Sequence, residues 1–448
     1  MTTSEDRFYP LKHPIWHPCS QMKDYEKFPP LRIKSASGSV ITTESGKKII
    51  DVISSWWCKS LGHSHPRLRQ ALIKQSELFE HVLLANTSNK KIEELSHALC
   101  ELSPNFSKVF YSSDGSSAVE IALKMALQYH KQSQKKSNSP PKNRFAYLSG
   151  AYHGENILCL SVSDLNLYAS PFKDHMQKNI KLPQHRLLSG KDDEHWKSHQ
   201  DFEEAKKILE KNKDSLSALI VEPIVQGAGG MHIYSPTFLS DLAKWCKNND
   251  VLLIADEIMT GFCRTGTWLA CEHAKVVPDI CCVMKGLSAG VLPISAVITN
   301  DKIYKAFYDT YESGKAFMHS NTHSGNALAV AVSLEALKIY REENWAEKVS
   351  QRGPLLKQMF KRIGEKTGVL KNIRGLGFIA AADLYYENMP QRAAFHLYQL
   401  AIENGLLLRP LGNTIYLFPP FIITDAQLKE TEQIIVHCLK ILLKSSSS

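Results

Sequence analysis

Two ionisable residues, Asp256 and Lys285, each follow a run of apolar residues typical of a buried strand. Asp256 ends the run VLLIAD, and Lys285 follows ICCVM 29 residues later. A strand, a crossover and a second parallel strand of that length bring both side chains to the carboxyl edge of one sheet. Open α/β sheets bind their ligands at this edge. We therefore expect the two side chains to lie close together in a binding site.

An amine and a carboxylate in this position allow two interpretations. An apolar neighbourhood disfavours the charged form of lysine, so the amine of Lys285 becomes a nucleophile toward a carbonyl. If that carbonyl belongs to pyridoxal phosphate, the carboxylate of Asp256 keeps the pyridine nitrogen protonated, and the ring withdraws electrons from the substrate. The alternative is a structural ion pair, which these two residues alone leave open.

The segment SSDGSSAVE, residues 112–120, has the features of a phosphate site. It follows the apolar run VFYS and opens an amphipathic helix, so Gly115 and Ser116 fall at a helix N-terminus, where free N–H groups and the helix dipole favour an anion. The segment lacks the Walker spacing and the GxGxxG pattern, which makes a nucleotide the weaker interpretation. An ordinary capped helix has a similar sequence.

An aromatic residue follows another predicted strand. Tyr152, in GAYHGEN, comes just after FAYLS and therefore lies at the same sheet edge. A tyrosine there can stack on a planar ring. Taken alone, it is more often a packed loop residue.

Alternating strands and helices must position these residues. From residue 61 to 329 the pattern predicts a large α/β domain with a mostly parallel sheet, and from 330 to 448 a smaller α+β domain, which the segment 1–60 joins. The predicted strands are 109–112, 145–150, 218–223, 251–258 and 280–284, and the predicted helices include 118–131 and 236–250.

Composition and charge exclude several classes of protein. The net charge of +9 is scattered or falls in the predicted loop KQSQKKSNSPPKNR, residues 131–144, and no nucleic-acid motif accompanies it. No apolar run reaches the length of a membrane helix, and the N-terminus does not resemble a secretory signal. The ten cysteines show neither CxxC pairs nor zinc-site spacing, which favours reduced thiols in a cytoplasmic protein without a metal.

These stretches together resemble the class-III (subgroup II) fold-type-I pyridoxal-phosphate aminotransferases over nearly the whole chain. The ordered landmarks are VEPIVQGAGGM, LLIADEIMTGFCRTG, ICCVMKG and GNALA, and the motifs IWHP, SSWW, GHSHP and RPLG are similar to the biotin-biosynthesis branch of that family. The resemblance implies a seven-stranded, mostly parallel sheet between helices and a smaller α+β domain built from both termini.

The resemblance also implies roles for individual residues. Lys285 binds the cofactor covalently and then moves a proton, Asp256 pairs with the pyridine nitrogen, and Tyr152 lies beside the ring. Gly115 and Ser116 bind the phosphate. The partner subunit completes that site with the segment that holds Ser320, Asn321 and Thr322, which implies a homodimer with active sites at the interface.

For the substrate, the family pattern maps onto Trp56 and Arg409. If the substrate is 8-amino-7-oxononanoate, a guanidinium can bind its carboxylate and an indole can cover its methylene chain. Without the resemblance, we would expect Arg409 to form a surface ion pair, and we expect Trp57, next to Trp56, to be core packing.

Cys19 departs from the family pattern and leaves the amino donor open. The relatives that use S-adenosylmethionine have a tyrosine in the motif that here reads WHPCSQM, and a thiol supplies neither the ring nor the phenolic hydrogen bond. Cys19 is a candidate specificity position, although a buried thiol is the plainer expectation. We rank S-adenosylmethionine first because SSWW and GHSHP fit its users, with lysine as the close alternative.

Two further alternatives remain open. One is another class-III aminotransferase acting on ornithine or a different ω-amine, which would need Lys285 and Asp256 but not Trp56 or Arg409. The other is a binding protein without enzyme activity that uses its positive charge.

Overall fold

The fold alternates short strands with helices. The computed structural model describes residues 4–9, 13–133 and 140–446, so residues 134–139 of the predicted basic loop lie outside the described residues. The strands are β1 (Ile33–Ser37), β2 (Val40–Thr43), β3 (Lys48–Asp51), β4 (Lys108–Ser112), β5 (Arg144–Tyr147), β6 (Ile180–Lys181), β7 (Leu216–Val221), β8 (Val225–Gln226), β9 (His232–Ile233), β10 (Leu252–Asp256), β11 (Ile280–Val283), β12 (Ser295–Thr299), β13 (Leu370–Leu376), β14 (Ile379–Leu384), β15 (Leu406–Leu407) and β16 (Thr414–Leu417).

Helices connect most of these strands. They are α1 (Ser54–Trp57), α2 (Pro66–Ser76), α3 (Lys90–Cys100), α4 (Gly115–Ser133), α5 (Ile157–Leu160), α6 (Asn166–Ala169), α7 (Gln200–Asn212), α8 (Pro236–Asn248), α9 (Asp301–Phe307), α10 (Ala327–Glu342), α11 (Trp345–Thr367), α12 (Ala393–Glu403) and α13 (Asp425–Ser446). Among the helices of the described residues, none is long and apolar enough to cross a membrane.

The chain divides into two compact units. The terminal unit comprises Met1–Pro66, Leu355–Ile373 and Ile379–Ser448, and the central unit comprises Arg67–Pro354 and Arg374–Phe378.

A seven-stranded sheet forms the frame of the central unit, with the strand order β4-β12-β11-β10-β7-β5-β6. β10 pairs in parallel with β11 and β7, and β5 pairs in parallel with β7 and β6. β12 runs antiparallel to both of its neighbours, β11 and β4. The predicted α/β fold with a mostly parallel sheet is confirmed.

Helix α4 shows why the sequence folds in this way. Its small and apolar residues recur every three or four positions, so they form one face that packs on the sheet. The buried residues of this face include the six predicted from their spacing: Ala118, Ile121, Ala122, Met125, Ala126 and Tyr129. Because the opposing strands contribute Phe145, Ile220, Ile254 and Val297, α4 is fixed with its N-terminus at the carboxyl edge of the sheet.

Two smaller sheets lie in the terminal unit, apart from residues 374–376 of β13. One has the order β1-β2-β3-β15, with β15 parallel to β3, and the other has the order β13-β14-β16. Strand β3 comes from the N-terminal segment and β15 from the C-terminal one, so hydrogen bonds join the two ends of the chain in one sheet.

Candidate active site

The carboxyl edge of the central sheet brings Asp256 and Lys285 onto neighbouring strands. Asp256 is the last residue of β10 and lies opposite Cys282 of β11, three residues before Lys285. The backbone N–H of Glu257 donates to the carbonyl of Cys282 over 2.9 Å. This hydrogen bond joins the ends of β10 and β11 next to Asp256 and three residues before Lys285.

Asp256 is buried, 5% exposed, and holds a defined orientation. Its Oδ2 lies 2.8 Å from Nδ1 of the buried His153, and its Oδ1 accepts a hydrogen bond of 3.2 Å from the backbone N–H of Ile258. His153 Nε2 is buried and has no hydrogen-bond partner among the described residues. The ring is therefore held toward Asp256 through Nδ1 alone, with Nδ1–H as the donor.

Lys285 begins a short 3₁₀ turn, Lys285–Ser288. Its φ of +30° lies outside the regions that lysine usually adopts. Tyr340 Oη donates to the carbonyl of Gly286 over 2.7 Å, and the N–H of Gly290 donates to the carbonyl of Lys285 over 3.2 Å. These bonds hold the unusual backbone, a kind of local strain that clusters at functional sites.

The start of α4 and the loop after β5 pack closely against each other through Ser116. The N–H of Glu155 donates to Ser116 Oγ over 3.1 Å. A methyl group added at Gly154 would lie 2.3 Å from Ser116 Oγ, and one added at Gly115 would lie 3.0 Å from Ile258 Cδ1. A side chain at Gly154 would collide with the start of α4, whereas one at Gly115 would meet only the end of the Ile258 side chain. Asp114 Oδ1 accepts a hydrogen bond of 2.9 Å from the N–H of Ser117, so the α4 amides available to an anion are those of Gly115 and Ser116.

Tyr152 is half-buried at the same edge. Its backbone N–H donates to Glu222 Oε1 over 3.0 Å, and its hydroxyl donates to Glu155 Oε1 over 2.9 Å. Its ring centroid lies 5.5 Å from that of Tyr168. Both the backbone and the hydroxyl of Tyr152 are thus fixed, so the ring holds one position at this edge of the sheet.

Glu222 ties two loops of the edge together. Its Oε2 accepts a hydrogen bond of 2.8 Å from the N–H of Gly227, while Oε1 holds Tyr152. Burial raises the pKa of the Glu222 carboxyl to about 7. Gln226, next to Gly227 in the same segment, donates to the carbonyl of Ser149 over 3.0 Å and accepts from Nε2 of the buried His185 over 2.7 Å.

The segment 320–322 reaches the end of β4 within the same chain. Asn321 Oδ1 accepts a hydrogen bond of 2.8 Å from Ser112 Oγ, and the carbonyl of Thr322 lies 2.7 Å from His81 Nε2. Ser320 is exposed. Asn321 therefore lies at the edge that also carries the start of α4.

The other predicted residues form a second group, within the terminal unit. The guanidinium of Arg409 lies 4.6 Å from the ring centroid of Trp56, which is 44% exposed. Arg409 Nη2 donates to the carbonyl of Cys19 over 2.8 Å. Trp57 is buried and donates from Nε1 to Tyr416 Oη over 3.1 Å, so the prediction of core packing is confirmed.

The expectation that Cys19 is a buried thiol is wrong, because this residue is exposed. Its φ of +51° turns the local backbone out of the ordinary regions. Its backbone carbonyl holds Arg409. Position 19 therefore acts on Arg409 through the main chain, whatever its side chain contributes.

Two residues with clear roles in this geometry carry little signal in the sequence. His153 is the direct neighbour of Tyr152, and its adjacency to a strand end is the one available indication. Glu222 also follows a strand, β7, but its partners are backbone amides 70 and 5 residues away, and no residue pattern specifies such a contact.

Three comparisons place this geometry among known proteins. The family model described as aminotransferase class-III matches residues 21–439. The adenosylmethionine-8-amino-7-oxononanoate aminotransferase of Helicobacter pylori is 39% identical over 434 residues, which cover 96% of this chain and 97% of the relative.

Solved structures show the same fold over nearly the whole chain. That of adenosylmethionine-8-amino-7-oxononanoate aminotransferase from Methanocaldococcus jannaschii has a TM-score of 0.87 at 30% identity and covers 95% of this chain and 97% of that one. That of an omega transaminase from Pseudomonas jessenii in complex with PMP has a TM-score of 0.87 at 26% identity and covers 98% of both chains.

Proposed function

The chain belongs to the class-III aminotransferases, and on this premise we propose that it aminates 8-amino-7-oxononanoate to 7,8-diaminononanoate in biotin biosynthesis, with S-adenosylmethionine as the amino donor. The reaction is the one named in relatives that are 39% and 37% identical over more than nine-tenths of this chain. The single structural observation that supports it is the stack of Arg409 on Trp56, 4.6 Å from guanidinium to ring.

That stack suits one end of the proposed substrate. A guanidinium binds a carboxylate through two parallel hydrogen bonds, and an indole face covers a methylene chain. The carbonyl of Cys19 orients Arg409 through Nη2, which leaves its other N–H groups for the substrate.

Pyridoxal phosphate is the cofactor of this family, and the central unit fits it. The buried carboxylate of Asp256 is an acceptor for a pyridinium N–H. The close packing of Gly154 on Ser116, where an added methyl would lie 2.3 Å from Oγ, keeps a larger side chain away from the amides of Gly115 and Ser116, which would bind the phosphate. When bound, the cofactor would supply an aldehyde carbon that accepts the amino group from the donor, and a ring that withdraws electrons from the substrate.

The side chains of the chain then have distinct tasks. Asp256 keeps the ring nitrogen protonated, and His153 holds that carboxylate in place. The amine of Lys285 binds the cofactor and afterwards moves a proton to and from the substrate carbon. Tyr152 covers the ring, and the first amides of α4 at Gly115 and Ser116 bind the phosphate.

We also propose that the enzyme is a cytoplasmic homodimer in which Ser320, Asn321 and Thr322 complete the partner's phosphate site. Large apolar side chains of the central unit that lie on the surface of the protomer support an interface: Leu78, Leu83, Leu167, Tyr311 and Met318 are 58–91% exposed. The ten free cysteines support a reducing compartment. Light scattering should give about twice the mass of one chain, 50.4 kDa.

A single half-reaction tests the donor. The purified, cofactor-loaded protein is mixed with S-adenosylmethionine or with lysine, and the loss of visible cofactor absorbance is followed. We expect loss with S-adenosylmethionine. If only lysine causes the loss of absorbance, lysine is the amino donor in place of S-adenosylmethionine. If neither donor acts on a coloured protein, the substrate assignment is wrong although the cofactor assignment stands, and a colourless protein would favour a binding protein without enzyme activity.

A second test separates the biotin-branch assignment from another ω-aminotransferase. Trp56→Ala and Arg409→Ala should each slow the reaction with 8-amino-7-oxononanoate. Unchanged rates in both variants would favour the ω-amine alternative, which does not need these two residues.

A further inference from the structure

The loop that carries Trp56 has a strained backbone. Ser54, Ser55 and Trp57 have φ values of 51°, 59° and 65°, and Ser55 combines its φ with a ψ of −86°. Only glycine adopts such conformations without cost, and none of these residues is glycine. A strained segment persists only when its surroundings determine its shape, which raises the question of what holds this one.

One buried carboxylate holds the loop. Asp51, the last residue of β3, is 0% exposed. Its Oδ1 accepts a hydrogen bond of 3.1 Å from the N–H of Ile53, and its Oδ2 accepts one of 2.7 Å from the N–H of Ser55. His63 Nε2 lies 2.8 Å from the same Oδ2. The charge is therefore satisfied largely by the two amides whose positions define the loop.

Asp51 itself is firmly placed. β3 pairs in parallel with β15, with Leu407 opposite Asp51, and the N–H of Asp51 donates to the carbonyl of Ser39 over 2.8 Å. His63 is fixed by two backbone hydrogen bonds with Gly38, of 2.7 and 3.0 Å. The anchor of the loop is thus part of a sheet rather than another flexible segment.

The rest of the loop is clamped from the opposite side. Ser54 Oγ donates to the carbonyl of Phe418 over 2.7 Å, and the buried Trp57 donates to Tyr416 Oη. With its neighbours held on both sides, Trp56 is the side chain of the pair that stays exposed, with its ring 4.6 Å from the guanidinium of Arg409.

We propose that Asp51 is a positioning residue for substrate recognition: together with His63 it fixes the strained Trp56 loop, and thereby places the indole against Arg409 where the carboxylate end of the substrate binds. The part that concerns the substrate rests on the proposed function of Trp56 and Arg409. If Asp51 loses its charge, the loop relaxes toward allowed backbone conformations, and Trp56 leaves the guanidinium.

The test compares two buried carboxylates of the same unit. Asp51→Asn keeps the size of the side chain but turns an amide NH₂ group toward N–H donors. Asp6→Asn is the matched control, because Asp6 is also 0% exposed and anchors a turn through the N–H and hydroxyl of Ser45, at 2.9 and 2.6 Å. Both variants are prepared as the cofactor-loaded full chain.

The first readout follows Trp56 itself. Acrylamide quenching of tryptophan fluorescence is measured for each protein and for its Trp56→Phe counterpart, and the difference reports the exposure of Trp56. We expect this difference to change in Asp51→Asn and to equal the wild-type value in Asp6→Asn. An unchanged difference in folded Asp51→Asn would overturn the proposal, whatever the substrate is.

The second readout is binding of nonanoate, a nine-carbon carboxylate, by calorimetry, together with KM and kcat for 8-amino-7-oxononanoate. We expect Asp51→Asn to raise the Kd and the KM by about 10-fold, with kcat and the cofactor absorbance retained. A shift in quenching without any rise in Kd or KM would overturn the proposed role in recognition.

The proposed function fails in a different way. If Arg409→Ala leaves the KM and the binding of nonanoate unchanged, the substrate assignment is wrong, and the quenching readout still decides whether Asp51 positions Trp56.

If Asp51→Asn does not fold, His63→Leu replaces it. That variant removes one donor to Oδ2 and leaves both backbone bonds, so we expect smaller shifts in the same direction, and unchanged quenching would overturn the proposal.

Discussion

His153 Nδ1 lies 2.8 Å from Asp256 Oδ2, and both side chains are buried. The two residues are 103 positions apart: Asp256 ends strand β10, and His153 lies in the loop after β5. His153 bonds to Oδ2 and the N–H of Ile258 to Oδ1, so the buried carboxylate keeps a single orientation, because rotation would leave its charge unsatisfied. The pair therefore fixes the Asp256 carboxylate within the candidate site.

Replacement of His153 by leucine should lower kcat/KM by about 10- to 100-fold, since one hydrogen bond to a charged group is worth about 1.5–3 kcal/mol. Steady-state kinetics and the spectrum of the bound cofactor measure the change. His153→Gln offers an amide donor and should recover part of the loss. A spectrum and rate unchanged in His153→Leu would show that Asp256 does not depend on His153.

Lys285→Ala should lower transamination by at least about 1,000-fold, because no other group supplies the amine that binds the cofactor and moves the proton. The visible absorbance of the protein-bound cofactor should change with it. Lys244→Ala is the control, a lysine on α8 whose side chain is 71% exposed. Substantial residual transamination in Lys285→Ala would remove this lysine from the mechanism.

Gly154→Ala should weaken binding of the phosphate-bearing cofactor by about 10-fold or more, because the new methyl group would lie 2.3 Å from Ser116 Oγ and displace the start of α4. Absorbance titration of the cofactor-free protein measures the affinity. In the control Gly46→Ala, the residue also has a positive φ, +89°, but no atom lies within 4 Å of the new methyl group. An equal loss of affinity in both variants would point to backbone strain rather than to the phosphate cradle.

Arg409→Lys should raise the KM for 8-amino-7-oxononanoate by about 10- to 100-fold, because an ammonium group neither forms the two parallel hydrogen bonds nor stacks flat on Trp56. Arg392→Lys is the control. Arg392 lies 4.2 Å from the ring of Phe395 and pairs with Asp24, so it loses a comparable stack outside the proposed site. An unchanged KM in Arg409→Lys would contradict the assignment of this arginine to the substrate carboxylate.

The raised pKa of Glu222 predicts a pH dependence of stability. Its pKa is about 7 in the folded protein and 4.5 in an unperturbed side chain. Between these values the unfolded chain has lost the proton and the folded protein still holds it, so the free energy of unfolding falls as the pH rises, by about 3 kcal/mol. The contribution is complete below pH 4.5 and lost above pH 7.

Glu222→Gln should therefore make the free energy of unfolding fall less steeply as the pH rises. The measurement is urea unfolding at pH 5, 6 and 7, at fixed protein and cofactor concentrations. The urea concentration at the unfolding midpoint reports the free energy of unfolding at each pH. Some slope should remain, because burial also raises the pKa of Glu257 to about 7. Glu204→Gln, at an exposed position on α7, should leave the slope at the wild-type value. A slope that Glu222→Gln does not alter would show that Glu222 keeps the same charge in both states.

The local elements of this protein follow from its sequence. Runs such as LLIAD and ICCV are apolar because both faces of a parallel strand are buried, and α4 has apolar residues at helical spacing because that face packs on the sheet. Strand ends mark the carboxyl edge of the sheet, which is why Asp256, Lys285 and Tyr152 could be selected as candidates before any contact was known. These patterns extend over a few residues, so short-range physics determines them.

The tertiary structure alone decided which side chains meet. Asp256 pairs with His153 across 103 residues, Glu222 holds Tyr152 across 70, and Arg409 bonds to Cys19 across 390. Asp51 holds a loop against its backbone preferences because a parallel strand from the far end of the chain fixes its place. Such contacts depend on crossover connections and sheet register, which bring distant segments together with an accuracy that no local pattern of residues records.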